Sequence, residues 1–276
     1  MISLDQEKLN RKTKKLEQIL LGYKSIIIAY SGGVDSTFLT AVAHNLNELR
    51  VLAVTSNSPS VADEDLFFAK EVAKDFKWNH LVINTEEINN PKYVSNDLKR
   101  CFYCKTELYS QLIKIANRDH YKYIANGANI DDLSDYRPGM LAASDYEVVS
   151  PLVDSGFNKN EIRFISREMN LPSWNKPAQP CLSSRIPYGI PVSIKSLEMI
   201  GFAEKKIRDF GFPIVRVRHH GDLARIEIPL YDFKKFNQSS MKNQIQEIIF
   251  DVGFKKMELD PLGFRSGSMN KEIKGI

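Results

Sequence analysis

Residues 25–36, SIIIAYSGGVDS, leave this chain few ways to fold. SIIIAY (25–30) is a short, β-rich apolar run. Ser31, Gly32, Gly33, Val34, Asp35 and Ser36 follow it, and then a helix-like stretch, TFLTAVAHNLNEL. A buried strand that leaves through a glycine-rich turn into a helix is the repeating unit of a parallel, doubly wound sheet. The alternation continues. VLAVTS (51–56) reads as a second strand, and DEDLFFAKEVAKDF places Leu66, Ala69, Val72, Ala73 and Phe76 at helical spacing. HLVIN (80–84) reads as a third strand, KYIANG (122–127) as a fourth and EVVSPL (147–152) as a fifth. Residues 105–118 read as a helix with Leu108, Leu112 and Ile115 on one face. Asn158 and Glu161 have the spacing of a capping box, with Phe157 and Ile162 placed for a hydrophobic staple, so a helix is expected over 158–169.

Composition then changes. Residues 172–191 carry Pro172, Pro177, Pro180, Pro187 and Pro191, and regular structure is not expected there. Beyond them, 193–210 is helical, VRVRHHGDLARIEI (215–228) alternates around a His-Gly-Asp turn as a hairpin would, a helix follows near 238–251, and KKMEL is a last strand. The expected fold class is α/β: a doubly wound parallel sheet over 1–171, a proline-rich linking loop over 172–191, and a smaller C-terminal α+β domain over 192–276. A length of 276 residues is enough for a sizeable core in either part.

The charge balance is +4, mildly basic. It suits a phosphorylated small substrate and gives weak support for a nucleic-acid partner, which calls for a stronger, clustered excess. No apolar run approaches the roughly 20 residues that span a bilayer. The N-terminal stretch reads as a charged amphipathic helix with Leu9, Leu16, Ile19 and Leu20 inward, not as a signal peptide. The expectation is a cytoplasmic protein without a membrane partner. Three cysteines, an odd number, argue against a disulfide framework.

The loop after the first strand is where parallel sheets bind ligands. Its glycines let backbone N–H groups turn toward phosphate, and the helix start adds a favourable dipole. Ser31 and Ser36 offer hydroxyls. Asp35 cannot attract phosphate by charge, so a bridging metal is its natural partner. The loop lacks the GxxxxGK[ST] pattern of a P-loop. SGGVDS instead resembles the PP-loop of the ATP pyrophosphatases, which cleave ATP between its α and β phosphates and adenylate a substrate. The bland alternative is a Gly-Ser turn capping a helix. By the same resemblance Thr55 and Ser56, at the end of strand two, hold the nucleoside. Asn126, Gly127, Asn129, Asp131 and Asp132 resemble a second nucleotide-side loop, against the alternative of an ordinary polar turn.

Cys101 and Cys104 form CFYC ahead of the helix expected at 105, whose start favours a thiolate. Cys181 lies in the proline-rich loop. Structural zinc would need a fourth ligand, with His219 and His220 as candidates. A redox CxxC pair is a second reading. The third is an iron–sulfur cluster with three protein ligands and one open iron. On the hairpin, Val215 and Val217 alternate with Arg216 and Arg218, and Ile226 and Ile228 with Arg225 and Glu227. Period two puts the charged set on one face. That face is either simply solvated or a clamp for phosphate or carboxylate. Arg137, Arg185 and Arg265 lie in the loops DYRPG, SSRIPYG and GFRSGSMN, where each is a ligand contact or a backbone tether.

SGGVDST, CFYCKTELY, DDLSDYRPG, NKPAQPCLSSRIPYG, GFPIVRVRHHGDLARIEIP and GFRSGSMN together resemble the LarE family, the PP-loop sulfur transferases of nickel-pincer nucleotide cofactor synthesis. The resemblance spans nearly the whole chain. It implies adenylation of a carboxylate of pyridinium-3,5-biscarboxylic acid mononucleotide and replacement of AMP by sulfur. It also implies ATP as a substrate, Mg²⁺ and a homo-oligomer. One branch sacrifices a cysteine in the loop matching 176–185, but Pro180 stands where that cysteine aligns and Cys181 follows. With the added CFYC pair, this departure points to the branch in which Cys101, Cys104 and Cys181 hold a [4Fe-4S] cluster that takes sulfide or sulfur from a donor. By the same resemblance, Lys105, Glu204 and Asp232 are substrate- and metal-side groups, with Asp35 completing the Mg²⁺ set. Arg137, Ser184, Arg185, Arg216, Arg218, Glu227 and Arg265 are substrate-side. A tRNA thiolase, an ammonia-using synthetase of the NAD or GMP synthase kind, and a metal-binding scaffold regulated by ATP are the rival readings.

Overall fold

A computed structural model describes residues 6–134 and 138–265. Along the chain run α1 (Gln6–Tyr23), β1 (Ser25–Ala29), α2 (Val34–His44), β2 (Arg50–Asn57), α3 (Asp63–Asp75), β3 (His80–Asn84), a short α4 (Pro91–Val94), α5 (Arg100–Arg118), β4 (Tyr123–Ala125), α6 (Pro138–Asp145), α7 (Pro151–Asp154) and α8 (Lys159–Glu168). Then follow α9 (Ile194–Asp209), β5 (Arg216–His220), β6 (Leu223–Glu227), α10 (Phe233–Phe236), α11 (Ser239–Asp251) and β7 (Lys256–Leu259). The chain divides into two compact units. Residues 1–87 and 99–179 form the first; 88–98 and 180–276 form the second. No described helix is long and apolar enough to cross a membrane.

The first unit is built on a parallel sheet of order β3-β2-β1-β4. Alternation along the strands sorts its core. Ile26, Ile28, Val51 and Ala53 pack on one side with residues of α1, α2, α3 and α8, including Leu16, Phe38, Ala69 and Ile162. Ile27, Leu52, Val54 and Ile124 pack on the other with Leu108, Leu112 and Ile115 of α5 and Ala142 of α6. Both faces are covered, which explains why these strands read as continuous apolar runs. After β1 the chain winds outward to β2 and β3, then returns so that β4 lies on β1's other side. The carboxyl ends of β1 and β4 therefore flank a topological switch point, the crevice where open α/β sheets bind ligands.

Two expectations need correction. Residues 147–152 do not form a fifth strand: Val149 makes a single parallel bridge to Ala125, and Pro151 starts a helical turn. Proline has no N–H for a ladder and a fixed φ suited to the first helical position. The helix expected at 105 begins at Arg100, so both CFYC cysteines lie inside its first turns rather than ahead of it.

In the second unit β5 and β6 form the hairpin around Gly221 and Asp222, and β7 joins β6 in parallel. Val215, Val217, Ala224, Ile226 and Ile228 pack on Ala203 and Ile207 of α9 and Ile245 and Ile249 of α11. Segment 88–98 belongs here despite its place in the sequence. Asn96, fully buried with φ +55°, donates its amide hydrogens to the carbonyls of Pro187 (2.8 Å) and Ile190 (2.7 Å). Gly189 and Val192 donate their N–H groups back to the carbonyls of Asn96 and Val94. The proline-rich loop is thus an ordered structure in which Leu182–Arg185 form a 3-10 turn.

Candidate functional site

At the switch point the 31–36 loop carries β1 into α2. Gly32 has φ +69°, and a Cβ there would sit 3.0 Å from the Ala69 Cβ of α3. Gly33 is the N-cap of α2 and no side chain caps that helix. The first-turn N–H groups are thus left to whatever anion sits before them. Ser31 and Ser36 hold each other, Oγ to Oγ at 3.1 Å, and the Ser31 N–H donates to Ser36 Oγ (3.2 Å). Gly127, after β4, packs on the start of α2 so closely that a Cβ would lie 2.9 Å from the Ser36 nitrogen. The β1 and β4 loops form one surface for that reason.

Asp35 points to Lys159 at the start of α8, with Nζ 2.5 Å from Oδ2. Its Oδ1 is buried without a hydrogen-bond partner. Burial raises the Asp35 carboxyl above its ordinary value and Asp132 adds to this, while Lys159, followed by Arg163, opposes it. An orphaned, partly desolvated carboxylate oxygen beside a phosphate-type loop is a donor suited to a hard cation. Asp131 accepts the Lys159 backbone N–H (2.9 Å), which ties the second loop to α8. Asn126 accepts from the Ala128 N–H and the Ser150 hydroxyl, but its buried Nδ2 has no acceptor.

Thr55 is turned inward. Its hydroxyl proton goes to the Tyr30 carbonyl (2.8 Å), so the His80 Nε2 at 2.8 Å must be the protonated ring nitrogen, donating to Thr55 Oγ1. Burial, then Lys70, keeps His80 below its ordinary value, consistent with a neutral ring. Ser56, next along β2, is half-exposed.

Three residues that the sequence did not single out border the phosphate loop. Lys159 is one, and a lysine at the first helical position works against the helix dipole, a signal that could have flagged it. Lys176 lies 3.0 Å from Asp65 and 3.5 Å from the Gly32 carbonyl oxygen. Arg163 donates to the carbonyls of Trp174 and Lys176.

Cys101 and Cys104 lie three residues apart in α5, outside any disulfide and both half-buried, with Lys105 exposed beside them. A spacing of three places side chains on one helix face. These two belong to the first unit; Cys181, also half-buried and outside any disulfide, precedes the 3-10 turn of the second. Among the described residues of either unit, no three His, Cys, Asp or Glu side chains gather as a metal site. Asp35 lies in the first unit, and Glu204 and Asp232 in the second.

The hairpin's charged face is not solvated at its strand-end half: Arg216, Arg218 and Glu227 are buried. Arg218 donates to Glu227 Oε2 (2.8 Å) and to the Ser184 carbonyl (2.8 Å). Arg185, fully buried, makes a bidentate pair with Glu204 (2.8 and 3.0 Å) and also donates to the Pro180 and Cys181 carbonyls and to the Ser184 hydroxyl. Glu204 further accepts the Val217 N–H (3.0 Å) and a longer contact from Arg208 (3.4 Å). Burial alone would raise the Glu204 carboxyl. Arg185 foremost, with Arg216 and the Val217 N–H, overrides that and holds it below its ordinary value. Burial, then Arg185, lowers Arg216 to about 10; Glu204 opposes, and Arg218 and Arg208 add. Arg185, Arg216 and Arg218 are thus buried in the same unit as the carboxylates of Glu204 and Glu227. Arg265 donates to Asp260 (3.0 Å), and Asp232 keeps one buried oxygen, Oδ2, without a partner. Arg137 lies outside the described residues.

A family model described as asparagine synthase matches residues 26–127, from β1 to the glycine that packs on α2. An uncharacterized protein of Synechocystis sp. is 40% identical over 96% of this chain and 99% of its own. The pyridinium-3,5-bisthiocarboxylic acid mononucleotide synthase of Lactiplantibacillus plantarum is 35% identical over 95% of each. An uncharacterized protein of Methanocaldococcus jannaschii is 32% identical over 88% of this chain and 92% of its own.

Proposed function

The chain belongs to the LarE family of PP-loop, ATP-dependent sulfur transferases, and we propose that it converts a carboxylate of pyridinium-3,5-biscarboxylic acid mononucleotide to a thiocarboxylate. The likeness to the Lactiplantibacillus synthase supports that substrate. The observation that carries the reading is the uncapped start of α2 at the switch point, with Asp35's orphaned oxygen beside it.

The proposed reaction has two steps. A substrate carboxylate oxygen attacks the α-phosphorus of ATP, and pyrophosphate leaves with the electron pair of the broken P–O bond. A sulfide-level sulfur then adds to the acyl carbon, and AMP leaves. The N–H groups at Gly33 and the first turn of α2 hold the pyrophosphate, and Ser31 and Ser36 exchange their mutual contact for phosphate oxygens. Mg²⁺ held by Asp35 would neutralise the developing charge. Arg216 and Arg218, supported by Glu227 and Ser184, hold the substrate's phosphate or carboxylate, with Arg265 of the same unit as a further candidate.

Glu204 is better read as the anchor of Arg185 than as a magnesium ligand, because both its oxygens already accept from guanidinium. Asp232 remains the second unit's candidate for the metal. Cys101, Cys104 and Cys181 have the chemistry of a soft-metal donor set: none is in a disulfide, and the first two share a helix face. A [4Fe-4S] cluster held by them would supply the sulfur. Lys105, exposed beside Cys104, offers a charge to the incoming substrate.

The test is anaerobic. The protein is incubated with ATP, Mg²⁺, the mononucleotide and sulfide, and AMP, pyrophosphate and thiocarboxylate are measured with iron and acid-labile sulfide content. Equal AMP and thiocarboxylate are expected, with iron lost in Cys101→Ser, Cys104→Ser and Cys181→Ser. AMP without thiocarboxylate, or iron content indifferent to all three substitutions, would overturn the reading.

A further inference from the structure

The proline-rich loop reaches back into the phosphate site through one side chain. Lys176 is mostly buried, with its ammonium 3.0 Å from Asp65 of α3, 3.5 Å from the Gly32 carbonyl oxygen and 4.1 Å from the centre of the Phe68 ring. Its backbone is fixed as well. The Lys176 N–H donates to the Ser173 carbonyl (2.9 Å), and its carbonyl accepts from Arg163 of α8 (2.8 Å). Lys176 is thus held at two backbone points before its ammonium meets the loop.

The Gly32 carbonyl belongs to the peptide that continues as the Gly33 N–H. In a planar trans peptide the C=O and the N–H point in opposite directions. A cation on the Gly32 oxygen therefore sends the Gly33 N–H the other way, toward Ser31 Oγ at 3.4 Å. That contact is long enough for a phosphate oxygen to replace it. The peptide orientation requires Gly32 at positive φ, and the closeness of Ala69 leaves no room for a side chain there.

We propose that Lys176 is a positioning residue of the nucleotide site: held between Asp65 and the Gly32 carbonyl, it fixes the Gly32–Gly33 peptide so that the Gly33 N–H faces the pyrophosphate of ATP. Lys176 acts through the backbone. This inference rests on the reading that residues 31–36 take the pyrophosphate. Its effect falls on ATP and not on the carboxylate substrate.

The test uses the full-length protein and follows pyrophosphate release. Lys176→Met keeps the packing over Phe68 and removes the charge. It is expected to raise the KM for ATP about tenfold, or about 1.4 kcal/mol, with the KM for the mononucleotide unchanged. Lys176→Arg restores most of the loss. Asp65→Asn, which leaves the ammonium on Gly32, stays within about twofold of wild type. A wild-type KM for ATP in Lys176→Met overturns the proposal, as does Asp65→Asn matching Lys176→Met, since the pair would then be only a structural tether. If Lys176→Met fails to fold, Lys176→Gln takes its place: a raised KM for ATP there, restored by Lys176→Arg, supports the proposal, and a wild-type KM refutes it. Ser36→Ala tests the loop reading separately. Wild-type ATP use there sinks that reading, whereas a loss there with none in Lys176→Met sinks only this inference.

Discussion

At the scale of single residues, two carboxylates with opposite shifts divide the chemistry. Asp35 is raised by burial, so it protonates at a higher pH than an ordinary aspartate. A carboxylate must be charged to hold Mg²⁺, so pyrophosphate release should decline as pH falls through that raised value. Excess Mg²⁺ should move the decline to lower pH. Lys159 opposes the rise, so Lys159→Met should move it to higher pH. A pH profile at two Mg²⁺ concentrations checks both directions. Glu204 is depressed by Arg185 against its burial. Its stabilisation is full above the ordinary carboxylate range and is lost as pH falls through the depressed value. Glu204→Gln leaves Arg185 buried without its counter-charge and should cost about 3–5 kcal/mol at neutral pH. The deficit should shrink in acid, as denaturant unfolding at several pH values would show. A magnesium role would instead appear as a changed Mg²⁺ requirement with stability intact.

At the scale of elements, α8 places Lys159 and Arg163. Its capping box is complete: the Glu161 N–H donates to Asn158 Oδ1 (2.8 Å) and the Asn158 N–H to Glu161 Oε2 (3.0 Å). Lys12 of α1 adds an ion pair to Glu161 (2.7 Å). Asn158→Ala should cost about 1 kcal/mol and also raise the KM for ATP, because Lys159 occupies the next position. Thermal melts and ATP titrations separate the two effects. Gly127→Ala would drive a Cβ into the Ser36 backbone, which cannot rotate away. Loss of ATP use is expected there, with overpacking of about 1–3 kcal/mol. The capping box was legible because its signal is local and its spacing fixed. So were strands one to three, each an apolar run. The fifth strand misled because VVSP is β-rich while Pro151 cannot join a ladder. Lys159, Lys176 and Asn96 stayed hidden for another reason: their partners lie 124, 144 and about 90 residues away.

At the scale of the whole molecule, the sequence conveyed the fold class and family through motifs spread along its length. Buried polar pairing was less legible. The alternation of Arg216 and Arg218 with valines allowed a solvated face, and only the fold shows that face covered by the 182–185 turn. Period two specifies which residues share a face and says nothing of what covers it. The central claim is that activation at the phosphate loop is followed by catalytic, not sacrificial, sulfur transfer. It is tested most directly by counting thiocarboxylates formed per chain under anaerobic conditions with sulfide in excess, and weighing the intact protein afterwards. The account predicts several products per chain and an unchanged mass. One product or fewer per chain, with a protein lighter by one hydrogen sulfide at Cys181, would contradict it.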